Sequence, residues 1–359
     1  ARWCRSEPAV AMREGIVTAK APGKGAVPIM RGPLLVAQGP ESFPVPLPPA
    51  SHPSVPDTAA HESAAQQSAA AVLAAYGGGW QASLDIAMTR VAGRTVASRV
   101  SHAGPLRVQK VLWPEGPELA HLILLHPPSG LAAGDALRLE IAQAPDTRVL
   151  LTTPGAGRWY RADATATQTV SLSVGERGSL EWLPQETVLH DGVQGVQRMS
   201  VDLAPCAAAI GMDVLVLGRR ASGEHKVTGD FRSHLTLRRG GRLLLSEVAR
   251  VGHAEQGLAA LGHAHVSGLL WAVSPAPLHT DLAEAVEAAL DDALGANSHS
   301  RGCGRDGAVA GASVVDPHLL LARAVGGSPE QIRRALAAAW ATVMRYPVPV
   351  HADELASVV

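Results

Sequence analysis

At 359 residues, with 47% hydrophobic residues, the chain is long enough for one large core or two smaller ones. A formal net charge of −1 leaves no basic footprint for nucleic acid, and no uninterrupted apolar run reaches the ~18 residues of a membrane span. Three cysteines, Cys4, Cys206 and Cys303, are odd in number and far apart, which argues against a disulfide framework and for a reducing cytoplasm.

Residues 1–78 form a compositionally separate segment. Pro-rich pieces such as Phe43 to Pro49 give way to an Ala/Ser/Gln tract from Ala59 to Ala75, and neither carries a sustained hydrophobic period. Such a segment cannot bury enough apolar surface to offset its ordering entropy, so it is expected to be a disordered, low-complexity extension. Its start shows no apolar core of a signal peptide, and Met12, Met30 or a later site is expected to stand nearer a natural start than Ala1. Residues 79–359 are the expected folding unit, a β-rich domain with C-terminal helices.

From Trp80 the pattern turns strand-like. Trp80, Ala82, Leu84, Ile86 and Met88 alternate with polar residues, the period-2 signature of a half-buried strand. Leu137, Leu139 and Ile141, then Val170, Leu172 and Val174, then Met199, Val201 and Leu203, repeat the theme. The longest apolar run, Ala207 to Gly218, is interrupted by Asp213. Many short strands separated by Gly turns indicate a sandwich, a barrel or a β-helix, and periodicity does not choose among them. Two helices are expected near the end. One covers about Asp281 to Leu294. The other opens on Ser328-Pro-Glu-Gln331, an N-cap, a proline at the first helical position and a capping-box glutamine, and stops before Pro347. Ile332, Leu336 and Trp340 share one face of it, to dock on its own sheet or on a partner.

Three runs between Leu122 and Gly192 end strands in Pro or Gly turns: His126-Pro-Pro-Ser-Gly-Leu-Ala-Ala-Gly-Asp135, Leu151-Thr-Thr-Pro-Gly-Ala-Gly-Arg-Trp-Tyr-Arg161 and Leu180-Glu-Trp-Leu-Pro-Gln-Glu-Thr187. Their spacing fits no nucleophile elbow, P-loop or metalloprotease helix. In that order they resemble the urease accessory protein family called UreD or UreH, from roughly Gly79 to the C-terminus. Leu217 to Glu224 and the terminal helix fall where the family has similar segments. Ser129 and Ala133 depart from it, standing where the family usually carries glycine.

The resemblance implies a mainly β fold, a β-helix-like stack of short strands with a few α-helices towards the C-terminus. It also implies a non-enzymatic maturation factor. Such a factor binds apo-urease and the UreF-type and UreG-type (GTPase) accessory proteins, and passes Ni2+ into the urease active site. Nickel would be transient cargo, with no permanently bound cofactor. An alternative from the residues alone is a β-rich hydrolase using Asp135, Glu181 and Glu186 as acid and base.

Glu181, Glu186 and Asp191 lie close in sequence and, with Asp135, make a candidate carboxylate set at strand ends. They read as solvated acids or turn caps, or as the lining of a polar route for a divalent cation. Oxygen ligands bind nickel loosely enough to hand it on. Arg158, Tyr160 and Arg161 join two guanidinium groups and an aromatic at one turn, a composition typical of protein contact surfaces. His263 and His265, or His299 and Cys303, are too few for a closed metal site and are expected at the surface. Gly302 to Gly307 matches GxGxxG but lacks the strand and helix a dinucleotide site needs, so it is expected to be part of an exposed loop from Asn297 to Gly311.

Overall fold

The computed structural model describes residues 79–225, 227–252, 261, 264–295 and 307–346. The expectations for residues 1–78, His263, His299, Cys303 and most of Gly302 to Gly307 lie outside these residues.

The chain opens with a hairpin of β1 (Gln81–Val91) and β2 (Arg94–Ala103), followed by β3 (Arg107–Leu112). It then winds through coils of one repeated plan. The first is β4 (Leu119–Leu125), β5 (Gly130–Leu131) and β6 (Ala136–Gln143). The second is β7 (Arg148–Thr152), β8 (Gly157–Trp159) and β9 (Ala166–Val174). The third is β10 (Ser179–Trp182), β11 (Thr187–Leu189) and β12 (Val193–Leu203). A longer β13 (Ala208–Leu217) and β14 (Gly229–Arg239) complete the winding, and β15 (Arg242–Val251) folds back antiparallel. β16 (Val266–Val273), α1 (Leu282–Leu294), β17 (Val309–Asp316), β18 (Leu319–Gly326) and α2 (Pro329–Arg345) close the described chain.

Corresponding strands of successive coils pair in parallel, so the expected β-helix-like stack is present. One wall is a seven-stranded sheet ordered β15-β14-β12-β9-β6-β1-β2, and the other is built on β17-β18-β16-β13-β10-β7-β4-β3. In-register parallel pairing stacks like residues: Leu84, Leu139, Val170, Met199 and Leu235 fall in one row, and Ile86, Ile141, Leu172, Val201 and Leu237 in the next. The sequence alternation predicts this inward set, because period-2 side chains of every coil must meet in the same interior. Each fully buried Leu or Ile contributes about 1.5–3 kcal/mol. Trp80 is the exception: it lies just before β1 and is 39% exposed.

The opposite face of β13, carrying Ile210, Met212, Val214 and Val216, builds a second core with β16, β18 and the two helices. Helix α2 starts as the sequence predicts, with Ser328 Oγ accepting from the Gln331 backbone N–H at 3.3 Å and Pro329 in the first turn. Among the described residues Gln331 closes no capping box; its Nε2 donates to the Leu294 carbonyl at the end of α1. Ile332 and Leu336 are fully buried. They press on Gly268 of β16, where an added Cβ would stand 2.7 Å from Ile332 Cγ2. The helix therefore docks on its own sheet, and those two residues are not on a partner-facing surface. The predicted loop is also shorter than expected, since Val309 to Gly311 begin β17. His265 is buried, not at the surface.

Candidate functional site

The three Pro/Gly motifs each supply one short strand of a third face. β5 pairs in parallel with β8, and β8 with β11, so Leu131, Trp159 and Leu189 stack inward in one row. Side chains lace the turns around them. Thr152 Oγ1 donates to the Leu183 carbonyl at 2.7 Å, and the Gln185 N–H donates to Thr153 Oγ1 at 2.9 Å. The Gly157 N–H donates to the Glu186 carbonyl at 2.8 Å, and Arg158 Nη1 to Ser129 Oγ at 3.3 Å. Gly130 lies flat under Tyr160, whose ring would be 2.3 Å from any Cβ there. Segments distant in sequence thus form one continuous rim.

The rim opens on a cavity of about 490 Å³ between the two sheets. Residues on or directly after β4, β7, β10, β13, β16 and β18 line one wall, and residues of β6, β9, β12, β14 and β15 the other. Five strand steps at ~4.8 Å give the passage a length of about 24 Å along the stack axis. Its mouth is built of His126, Ser129, Pro154, Arg158 and Gln185, and its walls carry Trp159, Trp182 and Trp271. Gly211 makes room for Trp271, because a Cβ there would sit 2.3 Å from the indole.

Polar groups punctuate this apolar tube. Gln168, Gln197 and Ser233 occupy one row of the smaller sheet. Asp213 faces them from β13, one row on from Gly211, with Leu269 and then Arg323 beside it in register. Asp213 is half-buried and borders the cavity. Burial pushes its carboxyl up to about 6, the Val214 N–H holding it lower and Glu247 adding to the rise. At the far end Arg323 Nη1 and Nη2 donate to Glu247 Oε1 and Oε2 at 2.7 and 2.5 Å, a two-pronged bond joining the sheets across the seam between β15 and β18. His126 at the rim has a buried Nε2 with no partner among the described residues, and burial lowers its basicity despite Asp135 nearby.

The carboxylates singled out in the sequence are each held elsewhere. Asp135 is a buried turn cap, its Oδ1 accepting the Trp80 N–H and its Oδ2 the Ala132 N–H, both at 2.7 Å. Glu181 faces away from Trp182, under α2, where Trp340 Nε1 donates to it at 3.0 Å; burial raises its carboxyl against that bond. Glu186 stands beside the rim, 3.8 Å from Arg333 Nη1, which also donates to the Pro184 carbonyl at 3.0 Å. Asp191 accepts from Thr228 Oγ1 and N–H and pairs with Arg161 at 2.7 Å; these bonds hold its carboxyl low, those of Thr228 most. The four do not converge, and among the described residues no three His, Cys, Asp or Glu side chains form a metal-holding group. Asp135, Glu181 and Glu186, the set weighed as acid and base, are each engaged by different partners. Arg158 and Arg161 are exposed, while Tyr160 is half-buried, edge-on to His190 at 4.8 Å.

Residues 81–354 match the family described as UreD urease accessory protein. The chain belongs to the UreD family. It is 37% identical over 286 residues to a urease accessory protein UreD of Ralstonia nicotianae, covering 75% of this chain and 90% of that one. The UreD of Azoarcus is 37% identical over 278 residues, covering 77% and 93%, and that of Delftia acidovorans 44% over 214 residues, covering 56% and 70%. The three motifs that carry the UreD resemblance in the sequence are the same three that build the rim. Asp213, Glu247 and Arg323 escaped the sequence reading. Asp213 had a visible signal, one acid in a twelve-residue apolar run. Glu247, on the half-exposed edge strand β15, and Arg323, an exposed position of the inner strand β18, had none. No helix of this UreD chain, among its described residues, is long and apolar enough to cross a membrane.

Proposed function

We propose that this chain is a non-enzymatic factor of urease maturation that binds apo-urease together with UreF-type and UreG-type (GTPase) accessory proteins in the cytoplasm. In this reading it passes Ni2+ along its interior to the urease active site. The passage with one carboxylate at its middle supports it most directly. Asp213 attracts a dication into an otherwise apolar tube. The neutral amides and hydroxyls of Gln168, Gln197, Ser233 and Ser267 can hydrogen-bond the ion's water shell without replacing it. Oxygen donors of this sort hold nickel weakly enough to release it. Glu186 stands at the entrance, and Arg158, Tyr160 and Arg161 offer the rim to a partner, while Asp135, Glu181 and Asp191 keep the surrounding turns in shape.

The test is nickel per purified urease after co-expression with the urease operon, alongside pull-down of urease and the other accessory proteins. Asp213→Asn should leave assembled urease with little nickel and intact pull-downs. Glu186→Ala and Asp135→Ala should lower nickel less and through the rim. Full loading with Asp213→Asn would overturn the route. Loss of loading together with failed pull-down would assign the residue to an interface instead.

A further inference from the structure

Inward of its mouth, where Arg158 stands, the passage contains three formal charges: Asp213 in the middle, and the Glu247–Arg323 pair at the seam. Arg323 binds both oxygens of Glu247, so that carboxylate has its strongest acceptor positions occupied. Asp213 has no ion-pair partner among the described residues, and with its carboxyl near 6 it is ionised at neutral pH. Inward of Arg158, the passage therefore carries a net charge of one negative. A dication entering it is attracted but never fully neutralised, which makes residence weak.

Resting on the delivery reading, we infer that Arg323 is a built-in counter-cation that keeps the passage a conduit and prevents it from becoming a nickel store. It does so by cancelling Glu247, which stands in the same cavity as Asp213. If Arg323 loses its charge, two carboxylates face one cavity, and a dication there is matched charge for charge. If Glu247 is neutralised, Arg323 remains to repel the ion. Arg323 is suited to the task because a guanidinium stays protonated and cannot itself ligate a metal. Its side chain is 54% exposed and that of Glu247 23%, so the pair can be changed at modest risk to the fold.

The rule is testable by charge arithmetic on the full chain, with Ni2+ as the only probe. Direct binding by equilibrium dialysis should rank R323Q tightest, on the order of tenfold above the unmodified chain. The double variant E247Q/R323Q should sit near the unmodified chain, and E247Q should be weakest. Nickel delivered to co-expressed urease should behave differently. Both single variants should fall, R323Q by retention and E247Q by exclusion, and the double variant should recover. Thermal melts of each variant separate loss of fold from change of charge. Should R323Q fold poorly, E247Q decides alone, since its predicted change in affinity has the opposite sign. The inference is overturned if affinity fails to follow net charge, or if the double variant delivers no better than the singles. The delivery reading itself falls only if Asp213→Asn leaves urease fully loaded, so the two failures are distinct.

Discussion

Trp340 and Glu181, 159 residues apart, meet in a 3.0 Å hydrogen bond from the indole Nε1 to the carboxylate Oε2. The bond fastens the terminal helix to the strand that leads into the third motif turn. Arg333, two helical turns earlier, holds the same turn by the Pro184 carbonyl. Helix α2 is thus a brace for one side of the rim. Trp340→Phe keeps most of the packing but leaves a buried acceptor without its donor, so it should destabilise the fold by about 1–3 kcal/mol. Glu181→Gln in the same background should recover part of that loss, since a neutral amide costs less to bury than a carboxylate. Urea denaturation of the two variants checks both statements; a Trp340→Phe curve matching the unmodified chain would mean the bond contributes nothing.

Asp213 should make stability depend on pH in a stated direction. Its carboxyl is raised to about 6 in the fold from 3.8 in the open chain, so the folded state holds the proton more tightly. The fold is therefore favoured at low pH and penalised as pH rises between those two values. About two pKa units at 1.36 kcal/mol each set an upper penalty of about 3 kcal/mol above pH ~6, reduced by any water in the cavity. Asp213→Asn should stabilise the chain at neutral pH by up to that amount and change little near pH ~4. Melting curves across this range decide it, and a gain that does not depend on pH would refute the burial of an ionised group. The expectation also places stability and delivery in opposition at one residue.

Ser129 adopts φ +58°, the left-handed region that favours glycine, at the turn where the UreD motif departs from its usual residue. Ser129→Gly removes that strain and sacrifices a 3.3 Å bond to an exposed Arg158. Against the extra freedom of glycine in the open chain, a net gain of about 0.5–1 kcal/mol is expected. Thermal denaturation reads it, and a loss of stability would show that the Arg158 bond outweighs the backbone strain.

The alternation of Leu84, Leu139, Leu172 and Val201 with polar neighbours was enough to say that the chain is built of short strands with one face inward, because a period of two leaves each side chain only two directions. Ser328, Pro329 and the Ile332–Leu336 stripe marked the last helix for an equally local reason: capping and side-chain periodicity act within a few residues. The three Pro/Gly motifs declared that they were bends and carried the family resemblance. None of this could say that the bends stack into one rim, since that depends on which strands pair, a property of contacts between distant segments. The carboxylates nearest the motifs in sequence, Asp135, Glu181 and Asp191, turned out to cap a turn, brace a helix and tie two turns, because adjacent strand residues point to opposite faces. Asp213 looked like an interruption of an apolar strand. Only the pairing of β13 between β10 and β16, with the second sheet facing it, put that acid inside a cavity, opposite Gln168 and Gln197 and in line with Arg323. Alternation along a strand decides in from out locally; what stands opposite an inward residue is decided by the register between strands, and that exists only once the coils have stacked.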